Sequence, residues 1–160
     1  MALNPKILEE ELLRQSEASA NGVEITYGDF VSAMEKYALG MQFPPPAGVP
    51  AAAGVLKNLL DTIPTKPPLP IATPILKLAV QLFALGISLG SPIGTGLIFP
   101  TIPPAGQPAL DSILSQPNSS EQVAKQMANT IHLYLISGTY DAFGIPPGSN
   151  PAVAGYTPWT

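Results

Sequence analysis

The sequence predicts an all-α fold: a small single-domain bundle of five or six short helices with proline-rich loops. Residues 1–138 are expected to form the helical domain and 139–160 an extended, proline-rich C-terminal arm. Three observations predict this. Apolar residues recur at spacings of three and four through most of the chain, the period of one helix face. Helix-like stretches run out at Gly40, Gly86 and Gly138, and each is followed by a Pro-Pro turn containing glycine and then another proline: Pro45-Pro46-Ala47-Gly48-Val49-Pro50, Pro103-Pro104-Ala105-Gly106-Gln107-Pro108 and Pro146-Pro147-Gly148-Ser149-Asn150-Pro151. Finally, 160 residues of which 46% are apolar amount to about one domain able to bury a single core.

The elements follow in order. Asn4 before Pro5 is a helix start, because asparagine caps free amides and proline at the first helical position loses no hydrogen bond. Ile7, Leu8, Leu12 and Leu13 then fall at helical spacing opposite Glu9, Glu10, Glu11, Arg14 and Gln15, which predicts a helix over 4–18 ending at Asn21-Gly22. Thr26 and Asp29 form a capping-box variant opening a second helix, with Phe30, Met34, Tyr37 and Ala38 along one stripe and Gly40 as its stop. Val55, Leu56, Leu59, Leu60 and Ile63 predict a third helix over 50–63. The prolines at 64, 67, 68 and 70 predict a rigid non-helical strap over 64–70, since each ring removes an amide and biases its predecessor toward extended geometry. A fourth helix over 73–86 is expected, capped by Thr73 with Pro74 at its first position and apolar nearly all round. A short piece over 111–115 precedes the best helix, which starts at Asn118-Ser119-Ser120-Glu121, carries Val123, Met127, Ile131, Tyr134 and Leu135 on one side, and ends at Ser137-Gly138.

Composition narrows the function. Charged residues make up 11% of the chain, under half of the roughly 25% of ordinary soluble domains, so its surfaces are expected to be covered by other protein. A net charge of -4 with no basic cluster argues against nucleic-acid binding. The absence of cysteine excludes disulfides, thiolate catalysis and cysteine-based zinc sites. The N-terminus lacks the basic-then-apolar order of a secretory signal, so cytoplasmic synthesis is expected.

No cluster points to catalysis, a cofactor, a metal or a small-molecule substrate. His132, the single histidine, stands mid-helix with no carboxylate three or four positions away, which favours a structural role over metal ligation. Glu9, Glu10 and Glu11 project about 100° apart on a helix and read as a solvated face, not an acid/base pair. No serine lies in a nucleophile elbow, and Gly94-Thr95-Gly96 lacks the spacing and the Lys-Ser/Thr of a phosphate loop. The competing reading is a membrane-associated or membrane-inserting protein using the uncharged segment 78–99, nominally long enough to span a bilayer. Gly86, Gly90, Pro92, Gly94 and Gly96 break that segment, and hydrocarbon cannot satisfy the backbone groups so exposed. The third proline turn and the aromatic residues after it read instead as a docking arm, with Pro146, Pro147, Tyr156 and Trp159 as its partner-binding residues.

The order of elements, with Met127-Ala128-Asn129-Thr130-Ile131-His132-Leu133-Tyr134 in a late helix and a Pro-Pro-Gly tail after it, resembles small structural proteins of tailed bacteriophages. That resemblance implies a non-enzymatic virion component of the neck, tail or baseplate, made in the host cytoplasm and built into a symmetric assembly. Its partners would be copies of itself and other virion proteins.

Overall fold

The computed structural model describes residues 3–22, 26–42, 46–63, 69–89, 101–114, 119–141 and 156–160, and the described chain is predominantly helical. Among those residues six helices form: α1 (Pro5–Ala20), α2 (Tyr27–Ala38), α3 (Val49–Leu60), α4 (Leu69–Leu89), α5 (Asp111–Leu114) and α6 (Ser120–Ile136), with a 3-10 turn at Pro46–Gly48 leading into α3. Their starts are set by local chemistry. The Asn4 side chain accepts a hydrogen bond from the Lys6 amide at 3.0 Å. The Asp29 carboxylate accepts from both the amide and the hydroxyl of Thr26, at 2.7 and 3.0 Å, which holds that carboxyl below its usual range. Ser119 and Gln122 close a reciprocal capping box on α6.

The helices pack in a closed circuit. α1 lies between α6 and α2, α3 lies between α2 and α4, and α5 bridges α4 to α6. Leu8, Met34, Tyr37, Leu56, Leu60, Phe83, Ile87, Leu110, Ile131 and Leu135 fill the interior with no exposed surface. Gln15, a buried polar residue of α1, donates to the Asp29 carbonyl at 2.7 Å and so ties α1 to the first turn of α2.

The structure corrects three expectations. α4 begins four residues before Thr73, so Leu69 and Pro70 are helical and do not belong to a strap; residues 64–68 of that strap lie outside the described residues. Pro70 sits at the second helical position, where its missing N–H is one that has no intrahelical acceptor anyway. Pro74, one turn later, forgoes a single bond to the Pro70 carbonyl, and Thr73 is buried within the helix and not its cap. Second, Gly86 does not end the helix. It lies inside α4 facing α3, where a Cβ would come within 3.0 Å of the Ala52 methyl, so the glycine serves close helix packing. Gly40 and Gly138 do follow helix ends, as expected.

The third correction concerns residues 139–160. In its described parts this stretch is extended, as expected, but it is paired with the body of the domain and not free of it: β1 (Thr101–Ile102), β2 (Thr139–Asp141) and β3 (Tyr156–Pro158) form an antiparallel sheet in the order β1-β2-β3. Thr139 faces Pro158 and Asp141 faces Tyr156. β3 delivers Trp159 into the core, where it is 1% exposed. Burying an aromatic ring of this size stabilises by roughly 4–6 kcal/mol before ordering costs, at about 25 cal/mol per Å² over 150–250 Å².

Candidate functional site

The four residues expected to bind partners have separate fates. Pro146 and Pro147 lie outside the described residues. Tyr156 is the first residue of β3, paired across the ladder with Asp141. Trp159 is the clear departure, because its ring is buried in the core and not displayed on the surface.

The seat of Trp159 is built from both sides. α6 ends at Ile136 with Ser137 as its cap, and the next residue, Gly138, has no side chain. The indole occupies that space, since a Cβ on Gly138 would lie 2.6 Å from Trp159 Cε2 and 3.0 Å from Pro104 Cδ. Three hydrogen bonds lock the segment: Trp159 Nε1 donates to the Thr139 carbonyl at 3.1 Å, its amide donates to the Gly138 carbonyl at 2.9 Å, and the Gln42 amide donates to the Thr160 carbonyl. Gly106, with φ +72°, turns the proline-rich loop so that its carbonyl accepts from the Tyr134 hydroxyl at 3.0 Å. The second proline turn is therefore a wall of the Trp159 seat, with Pro104 and Pro108 buried.

His132 also acquires a partner that spacing could not reveal. The Tyr37 hydroxyl lies 2.7 Å from its Nδ1, with the rings edge to face at 6.2 Å between centroids. Burial raises the Tyr37 phenol far above its ordinary range and lowers the His132 imidazole. Burial thus favours the neutral form of both groups, and the hydroxyl and Nδ1 share one hydrogen bond. Glu11 carries two cations: Lys36 and Arg14 both bond to its carboxylate, Arg14 at 2.8 Å, and they hold it below the usual carboxylate range. Among the described residues no group of three or more His, Cys, Asp or Glu is placed to hold a metal. A shallow open groove between α1 and the start of α6, lined by Leu12, Gln15, Ser16, Ser19, Ala20 and Ser120, holds no titratable side chain.

What remains is a surface. α4 buries Ala79, Val80, Phe83, Ala84 and Ile87 on one face. On the other, Leu78 and Leu85 are 38% exposed, and the half-buried Ile75 and Leu82 complete a 3-4-3 spacing. That spacing is the seam of a coiled coil. Lys77, the one charged residue of α4, is drawn aside by Asp111 of α5 at 2.7 Å. Neighbouring α3 exposes the uncharged Ala51, Gly54, Val55 and Asn58 besides Lys57, and α6 exposes Leu133 at 63%. The sequence carried a sign of the α4 seam in a helix apolar nearly all round, which implies a second face needing cover.

Among the described residues, no helix is long and apolar enough to cross a membrane, and residues 90–99 of the uncharged segment lie outside them. No protein-family model, no curated protein and no solved structure matches this chain.

Proposed function

We propose that this chain is a non-enzymatic assembly subunit that binds copies of itself and neighbouring proteins through uncharged helix faces. The observation that carries the reading is the outer seam of α4, where Ile75, Leu78, Leu82 and Leu85 line a helix whose opposite face already fills the core. Isolated surface leucines are ordinary, but apolar side chains at 3-4-3 spacing on one helix, in a protein with 11% charged residues, form a continuous stripe. The particle we propose is the virion of a tailed bacteriophage, in its neck, tail or baseplate, on the resemblance of the element order and of the 127–134 helix segment to structural proteins of such particles.

The test is association. Size exclusion with light scattering should give oligomers, or a mass that rises with concentration. The double substitution Leu78→Glu/Leu85→Glu should shift the equilibrium toward monomer by at least tenfold while leaving helicity and Trp159 fluorescence unchanged. A wild-type chain that stays monomeric at every accessible concentration overturns the reading. A mass spectrum of purified virions tests the particle.

A further inference from the structure

We propose that β3 is exchanged between copies, so that Trp159 of one subunit occupies the Gly138 seat of the next. This deepens the assembly reading and rests on it. Four side chains over about 15 Å of helix supply only part of the roughly 800 Å² per partner that a stable interface needs, so the α4 seam requires a second link, and the strand provides one.

Several observations converge on the strand. Among the described residues, the backbone hydrogen bonds, ladder pairs and indole bond of residues 156–160 run to Gln42 and to residues 138–141, and the ring is seated where Gly138 and Pro104 leave room for it. All of these partners lie outside the segment, so each of these bonds can be re-formed on an identical neighbour. β3 is an edge strand, since β2 pairs with β1 on its other side, so its removal leaves the β1–β2 ladder intact. The connection is also far longer than the closure needs. Asp141 and Tyr156 face one another across the ladder, a gap that two residues close in a tight hairpin, yet residues 142–155 intervene. Fully extended, that stretch would reach roughly 45 Å, on the order of a neighbouring subunit's width. Its sequence holds Pro146, Pro147 and Pro151, and proline is the residue type that stiffens spacers. Exchange of an identical element is a low-cost route to oligomers, because the bonds lost in one copy are those gained in the other.

The chain contains no cysteine, so engineered pairs have no background. Thr139 and Pro158 face each other across β2 and β3. Thr139→Cys and Pro158→Cys would be made as separate full-length variants of different tag length, unfolded together, refolded at high concentration and oxidised. Exchange predicts a disulfide-linked heterodimer at least fivefold more abundant than either homodimer, with buried-type Trp159 emission. Asp141→Cys with Tyr156→Cys, the second facing pair, gives the same readout where the first impairs folding. Light scattering of the unmodified chain separates the two ideas. Oligomers without preferential heterodimers overturn the exchange and leave the assembly reading standing; monomers throughout overturn both.

Discussion

At the scale of single residues, Gly138 is the most tightly constrained glycine among the described residues. It follows the end of α6 and also gives up its side-chain volume to the indole of Trp159, 2.6 Å from where a Cβ would stand. Gly138→Ala should therefore destabilise by about 1–3 kcal/mol, the range for overpacking a filled site. Urea unfolding followed by Trp159, the only tryptophan, measures it directly. The sequence marked Gly138 as a helix stop but held no sign of the ring it seats, because that contact joins residues far apart in the chain. His132 shows the same limit. Its structural role follows from missing neighbours in sequence, whereas its partner, Tyr37, comes from another helix. Burial places its folded pKa below the ordinary 6.5, so the unfolded chain binds the proton more readily. Stability should be level above about pH 6.5, fall as pH drops below it, and flatten under the folded pKa, with a slope of at most about 1.4 kcal/mol per pH unit. In His132→Gln the decline between pH 6.5 and 5 should vanish, while the losses from Glu11, Asp29 and Asp111, whose carboxyls are all held low, persist at more acidic pH.

At the scale of elements, two glycines inside helices differ in consequence. Gly54 of α3 is exposed, with nothing within 4 Å of the point a methyl group would occupy, whereas Gly86 of α4 abuts Ala52 at 3.0 Å. Gly54→Ala should stabilise by about 0.5–1 kcal/mol through helix propensity. Gly86→Ala gains the same propensity but must push α3 and α4 apart, and a net loss of about 1 kcal/mol is expected. Thermal unfolding of the pair, opposite in sign, checks both. Helix starts governed by capping chemistry, at Asn4, Thr26 and Ser119, were legible within a residue because the determinants are local. The start of α4 was not, since Thr73-Pro74 carries the pattern of a cap and first turn while standing inside the helix. Tertiary burial of Val80, Phe83 and Ile87 holds a helix that tolerates Pro74 within it.

At the scale of the molecule, the bundle closes only when distant parts meet: α5 bridges α4 to α6, and Pro104 and β3 cover the end of α6. The fold class and the low-charge exterior were readable from composition and period. The conversion of a supposed arm into sheet and core was not, because strands of two or three residues carry almost no periodic signal. Gly138 and Trp159 share one volume that cannot be filled twice. Among descendants of this sequence, a bulkier residue at the first position should be inherited together with a smaller one at the second, so the two sites would drift as a linked couple through evolutionary time.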